Sequence, residues 1–259
     1  MADYVSRLFN LKGKTAVIIG GGGYLCSAMA IGLAKAGVAV AVVDRDEKKR
    51  KAVATQVKKF GPRAISLPMD VTKKADHERV LAEVLKKFKK VDILINGAGI
   101  NAPTPVMDIT VEEWHAIFDS HATATLLGCQ VFGKHMISRG SGSIINLSSV
   151  SSGPPLSRAF AYSVAKSGVK SLTQNLAREW APYHVRVNAL RPGFFPTQWS
   201  MKHFIDVQRK RAILGHTPMG RFGQPQELIG AVLWLASDAA GFVTGTEVHV
   251  DGGFTCVTI

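Results

Sequence analysis

Three residues have the types and spacing for proton-coupled chemistry at an oxygen. Tyr162 and Lys166 stand four apart, so on a helix they share a face. A free tyrosine, with a pKa of about 10, is a poor base at neutral pH. A neighbouring ammonium stabilises the phenolate, so Lys166 is expected to lower the pKa of Tyr162. Tyr162 could then give or take an alcohol proton. Ser149 precedes the tyrosine by thirteen residues, and its hydroxyl could hold a substrate oxygen as charge develops there. A tyrosine and a lysine at this spacing are common on packed helices, and alone they read more simply as such. The weight comes from the combination with a glycine-rich turn upstream.

That turn is Gly20-Gly21-Gly22-Gly23, placed between a short apolar run and a helical pattern that includes Tyr24 and Leu25. Glycines let backbone approach a pyrophosphate, and the free N–H groups of the following helix favour its charge. Asp44 ends the next β-branched run. A carboxylate there can bond the adenosine ribose hydroxyls and repel a 2′-phosphate, which favours NAD over NADP. It could instead cap a helix. Arg45 argues the other way, since a guanidinium can hold a 2′-phosphate. Asp70, followed by Val71, reads either as part of the adenine rim or as another helix cap.

The elements needed to position these residues are legible. Strand signals fall at 14–20, 38–43, 64–67, 91–95, 143–147, 185–190 and 247–250. Helical patterns fall between them at 25–36, 47–60, 77–88, 111–138 (in one or two parts), 159–180 and 226–236, and 192–223 reads as irregular. Continuous apolar strands alternating with helices predict an α/β fold. It is a single-domain, doubly wound parallel sheet of about seven strands with helices on both faces, spanning 1–259. The candidate residues fall at the carboxyl ends of the strands, where such sheets bind ligands.

Composition excludes other classes. No apolar window approaches a membrane span, and the N-terminus lacks the apolar core of a signal peptide. Cys26, Cys129 and Cys256 are too scattered for a disulfide framework or a metal site, which suits a reducing cytoplasm. The net charge of +13 is spread over short lysine runs on amphipathic helices rather than on one reading element, so no nucleic-acid partner is expected. Those runs read as solvated faces, with a field that attracts anions as the alternative.

The sequence resembles the short-chain dehydrogenase/reductase family over nearly its whole length. The family's Asn-Asn-Ala-Gly appears as Asn96-Gly97-Ala98-Gly99. Its serine, tyrosine and lysine fall on Ser149, Tyr162 and Lys166. Its nicotinamide-side segment appears as Pro192-Gly193-Phe194-Phe195-Pro196-Thr197, and its C-terminal motif as Asp251-Gly252-Gly253. The resemblance implies hydride transfer between NAD(H) and a carbonyl or secondary alcohol carbon. It places cofactor contacts at Asn96, Ala98, Gly99, Pro192, Gly193, Phe195 and Thr197, and a bond from Lys166 to the nicotinamide ribose. It implies a homo-oligomer, a tetramer or a dimer. Within the family, Gly20–Leu25, Pro192–Phe195 and His216–Gly223 are most similar to the sugar-acid branch of mannonate oxidoreductase and gluconate dehydrogenase-like members.

Four positions depart from the family pattern, the first being Ile19, where the family's glycine motif opens on threonine. Tyr24 and Cys26 replace glycines of the cofactor turn, so helix and strand are expected to sit further apart. His121 occupies the place of an asparagine that kinks the long helix and holds a relay water. Histidine is expected to do neither in the same way. It reads as a proton relay or as a tolerated polar residue. A low-turnover dinucleotide-binding sensor or scaffold, and an NADPH-dependent 3-oxoacyl thioester reductase, are the alternatives.

Substrate choice should fall to a lid at about 194–223. Phe194 and Trp199 could wall the pocket there, and Arg209 could hold a carboxylate of a sugar-derived substrate. The other lid cations, among them Lys202, Lys210 and Arg211, read as solvated.

Overall fold

The computed structural model describes residues 3–61 and 63–257, with the side chains of Trp199 and His203 outside the described set. Its centre is one parallel sheet of seven strands: β1 Thr15–Ile19, β2 Ala39–Val43, β3 Ala64–Leu67, β4 Ile93–Asn96, β5 Gly142–Leu147, β6 Val185–Pro192 and β7 Glu247–Val250. The spatial order is β3-β2-β1-β4-β5-β6-β7, so the winding direction reverses between β1 and β4. Pairing is in parallel register throughout, for example Ile19 with Val43 on one side and Asn96 on the other. A parallel sheet reversing there leaves a crevice at the strand ends where a ligand can lie.

The helices are α1 Tyr4–Leu8, α2 Tyr24–Lys35, α3 Glu47–Lys58, α4 Lys74–Phe88, α5 Val111–Phe118, α6 Ala124–Arg139, α7 Phe160–Trp180, α8 Gln198–His203, α9 Val207–Gly215 and α10 Ile229–Ala236. They cover both faces because successive strand residues point to opposite sides. In β1, Ala16 and Ile18 pack with Met29 and Leu33 of α2 and Val232 of α10. Val17 and Ile19 pack with Val84 of α4, Phe132 of α6 and Trp180 of α7. Each fully buried Leu or Phe contributes about 1.5–3 kcal/mol. This two-sided burial explains why β1 and β2 read as unbroken apolar runs.

The expected long helix at 111–138 divides: a π-helical turn, Asp119–Thr123, separates α5 from α6. The 192–223 segment, expected to be irregular, contains α8 and α9, capped by Thr197 and Asp206. Helices of six and nine residues carry too little apolar periodicity to stand out in sequence. Lys48, Lys49 and Lys51 are exposed as expected of a solvated face, while Arg50 of the same run is buried. No described helix is long and apolar enough to cross a membrane, and no group of potential metal ligands occurs among the described residues.

Candidate active site

Gly20 leaves β1 with φ +78°, and a Cβ there would lie 2.7 Å from the Ala98 nitrogen, so the turn packs directly on the loop after β4. Gly23 is the N-cap of α2 and brings no side chain to the helix's free N–H groups. Asp44 binds this turn: Oδ2 accepts from the Gly22 N–H at 3.0 Å and Oδ1 from the Asp46 N–H at 2.9 Å. Asp46, not Asp44, caps α3. Asp70 caps no helix either. Its Oδ1 accepts from the Thr72 N–H and hydroxyl, and the N-cap position of α4 falls on Lys73.

Two clefts run along the strand ends. The first, about 530 Å³, is lined by Gly20, Asp44, Arg45, Asp70, Val71, Ala98 and Gly99. The second, about 510 Å³, is lined by Tyr24, Leu25, His121, Ser149, Tyr162, Lys166, Gly193, Phe194, Phe195, Thr197 and Arg209. Gly23, Gly97, Gly99 and Ile100 border both, so the two form one trough across the switch from β1 to β4. A long two-ended ligand fits that shape.

Three residues expected to contact the cofactor stand outside both clefts. Asn96 turns into the core, where its Nδ2 donates to Asn146 Oδ1 at 2.8 Å and its Oδ1 lies over Gly128. A strand-end motif gives position, not the side of the sheet a side chain takes. Gly22 faces Asp44 and Lys49, and Pro192 is buried at the end of β6. None of the three lines either cleft.

At the far end of the trough, Ser149 Oγ accepts from the Ser151 N–H at 3.2 Å and the Ser151 hydroxyl at 3.0 Å. Tyr162 and Lys166 sit in the first two turns of α7 and rise on one face beside it. Lys166 Nζ donates to the Leu147 carbonyl at 2.5 Å and lies 5.6 Å from the Tyr162 ring centre. Burial lowers the Lys166 pKa to about 8. The Tyr162 pKa moves against expectation. Burial raises it above its ordinary value, and a hydrogen bond with Ser149 only partly opposes this. The ammonium does not reverse the shift because its hydrogen bond goes to Leu147 rather than to the phenol.

His121 lies at the centre of the π-helical turn, edge-on to Tyr162 at 5.0 Å between ring centres. Its Nε2 is 2.8 Å from the Ile100 carbonyl and must carry the proton to donate there. Nδ1 is then a bare acceptor, buried without a partner. Burial first, and the Lys166 charge second, lower its pKa to about 3. The helix keeps a π-helical turn with histidine in place, and burial favours the neutral imidazole there. Gly99 makes room for the ring, since a Cβ there would meet His121 at 1.8 Å. The Cys26 thiol is accommodated in the same manner: any side chain at Gly97 would begin 2.3 Å from its sulfur. The space expected to come from a wider helix–strand gap is supplied by Gly97.

Two groups at the site left no sequence signal. The Glu247 side chain, only 8% exposed, pairs with Arg191 at 3.1 Å and accepts from the hydroxyls of Ser148 at 2.6 Å and Ser152 at 3.2 Å. It therefore grips both ends of the turn that carries Ser149. Arg191 Nη2 also donates to the Val150 carbonyl at 3.2 Å, through space left by Gly153. The second group is Arg158, which lines the cleft together with Arg209. Phe194 also lines the cleft and packs on Phe254 at 5.2 Å. Lys202, Lys210 and Arg211 face solvent. The expected wall contact of Trp199 lies outside the described residues.

A family model described as Enoyl-(Acyl carrier protein) reductase matches residues 25–255. The chain is 41% identical to "Uncharacterized oxidoreductase UxuB" of Bacillus subtilis (strain 168), covering 95% of this chain and 96% of that one. It is 34% identical to 2-dehydro-3-deoxy-D-gluconate 5-dehydrogenase of Escherichia coli (strain K12), over 95% and 97% of the two chains. Among solved structures, a gluconate 5-dehydrogenase from Burkholderia cenocepacia J2315, in complex with NADP and tartrate, superposes with a TM-score of 0.92 at 33% identity, covering 98% of this chain and all of the other.

Proposed function

The chain belongs to the short-chain dehydrogenase/reductase family, whose members transfer hydride between a nicotinamide dinucleotide and an alcohol or carbonyl carbon, and from that premise we propose that it is an NAD-dependent oxidoreductase of a sugar acid. The observation that carries the reading is the convergence of Ser149, Tyr162 and Lys166 at one end of a trough whose other end holds Asp44.

The residues present fit the dinucleotide. Gly20 and Gly23 line the first cleft with no side chain to occupy it, and α2 presents N–H groups uncapped by any side chain. Asp44 and Asp70 edge the adenosine end, while Gly193, Phe195, Thr197 and Lys166 edge the nicotinamide end. When bound, the dinucleotide supplies the hydride acceptor or donor. The Ser149 hydroxyl then holds the substrate oxygen, and Tyr162 takes its proton during oxidation or returns it during reduction. Lys166 stands beside the Tyr162 ring with its Nζ on the Leu147 carbonyl, where it borders the nicotinamide end. His121 stays neutral and positions the Tyr162 ring.

NAD is favoured over NADP by the Asp44 carboxylate, which a 2′-phosphate would have to approach. The related Burkholderia structure holds NADP, so NADP is the competing cofactor in the test below. A sugar acid is favoured by a substrate cleft lined by Arg158, Lys166 and Arg209 and by no described aspartate or glutamate. A lid at 194–223, and a homo-oligomer, complete the proposal. Exposed Val106, Val111 and Phe160 around one shallow groove support self-association. The test is a panel of hexonates, hexitols and acyl thioesters with NAD(H) and NADP(H), read as absorbance of the reduced cofactor. Turnover of hexonates with NAD, and loss of the NAD preference in Asp44→Ala, is the expected result. Turnover of thioesters alone with NADPH would replace this reading.

A further inference from the structure

Arg158 has a left-handed backbone, φ +58°. The other two described non-glycine residues with positive φ, Lys89 and His184, each close a helix, where that conformation is ordinary. Arg158 closes none. It sits in the loop before α7, and its strained backbone aims the side chain across the mouth of the cleft. Nη2 lies 3.1 Å from Asp206 Oδ2, and Nη1 donates to the Phe204 carbonyl at 3.4 Å. Arg209 reaches back the other way. Its Nη1 donates to Ser157 Oγ at 2.6 Å and its Nη2 to the Ser157 carbonyl at 2.8 Å. Two crossed contacts therefore fasten the α8–α9 segment to the loop that leads into α7.

Both guanidinium groups line the cleft that holds Ser149 and Tyr162. They are close enough that, after burial, the Arg158 charge is the next cause depressing the Arg209 pKa. Among the described residues, Asp206 is the one carboxylate that either guanidinium touches. Its other oxygen is already used, accepting from the Arg209 N–H at 2.7 Å as the cap of α9. The two arginines thus carry one more positive charge than they have partners for, in a cleft without an acidic wall. This charge is not needed for a pyrophosphate, whose place is at the Gly23 end of α2.

We propose that Arg158 and Arg209 form the seat of the substrate's carboxylate, and that an anion bridging them holds the 194–223 segment closed over the reacting carbon. The proposal rests on the sugar-acid reading above and assigns its anionic end to two residues on opposite sides of the entrance. Guanidinium groups suit a planar carboxylate because they donate in parallel pairs.

The test measures binding of hexonates and of the matching neutral hexitols to the NAD-loaded protein by calorimetry. The variants are Arg158→Gln, Arg209→Gln and Asp206→Asn. Each arginine variant should weaken hexonate binding roughly 10–150-fold more than it weakens hexitol binding, the range for a hydrogen bond to a charged group. Asp206→Asn breaks the Arg158 pair but keeps both guanidiniums, so hexonate affinity should hold or rise. If Asp206→Asn weakens hexonates as much as Arg158→Gln does, the contacts are a structural latch and the seat is refuted. Hexonate binding unchanged in both arginine variants also refutes it, while leaving the sugar-acid reading intact. Wild-type protein that binds no hexonate overturns both.

Discussion

Gly97→Ala should destabilise the protein because of one atom. The added methyl would lie 2.3 Å from Cys26 Sγ, well inside the 3.0 Å that real Cβ contacts essentially never breach. Its next neighbours, the Ile19 carbonyl and Leu147 Cδ2, are at an ordinary 3.4 Å, so the sulfur alone is in the way. The helix that carries Cys26 cannot easily retreat, since Gly32 on the same helix already packs against Ile229, with 2.6 Å left for any Cβ. Overpacking of this kind costs about 1–3 kcal/mol. At about 2 kcal/mol, the melting temperature should fall by roughly 4–8 °C in a chain of this size. Cys26→Ala removes the sulfur and costs about 1 kcal/mol of buried apolar contact. Combined with Gly97→Ala it should relieve the clash, so the double variant should be no less stable than Cys26→Ala alone. Urea denaturation of all four proteins, read as midpoint and slope, gives the coupling. A coupling of about 2 kcal/mol is expected, and additivity within about 0.5 kcal/mol would refute the reasoning. The result bears on function because both residues border the trough.

Two further perturbations separate roles at the site. His121 is neutral in the folded state down to a pKa of about 3, while the unfolded chain protonates it near its ordinary value of 6.5. Between those values the unfolded state binds more protons, so stability is lost as pH falls through that window. His121→Asn should therefore flatten acid destabilisation between about pH 6.5 and 4 and leave the pH–rate profile from about pH 6 to 9 unchanged, and a shifted profile would make His121 a titrating participant. Glu247→Ala leaves Arg191 buried without its partner, which should cost about 3–5 kcal/mol in denaturant titration. Glu247→Gln should keep a bond to Ser148, fold, and lower kcat about 10–100-fold with KM little changed, because the Ser149 turn is loosened, and equal losses in kcat and in cofactor affinity would point to general damage.

The sheet was legible because its inner strands are buried on both faces and rich in Val, Ile and Ala, so they appear as apolar runs between turn residues, while the edge strands β3 and β7 are only half-buried. The trough was legible for a related reason. Gly20, Asp44 and Ser149 all stand at strand ends, and in a parallel sheet those ends converge. Direction and distance were not legible. Asn96 stands at a strand end yet points into the core, and nothing in a linear motif distinguishes the two faces. Glu247 reaches Ser148 across 99 residues of chain, and Arg158 reaches Asp206 across 48, contacts that only the crossovers create. The direction of the Tyr162 shift depends on how deeply the phenol is buried and on which acceptor Lys166 chooses, both of them properties of packing. His121 was visible as a departure, but its neutrality follows from its burial and, after that, from the nearby ammonium.

The central claim is that Tyr162 moves the proton while hydride moves at the adjacent carbon. Single-turnover absorbance of the reduced cofactor, with a hexonate that the wild-type protein oxidises, compares wild type with Tyr162→Phe at matched cofactor occupancy. The account predicts a loss of about 10²–10⁴-fold in the chemical step with NAD affinity unchanged, the range for removing a positioned acid–base group. A Tyr162→Phe protein that binds NAD normally and oxidises the hexonate within a few-fold of wild type would contradict it.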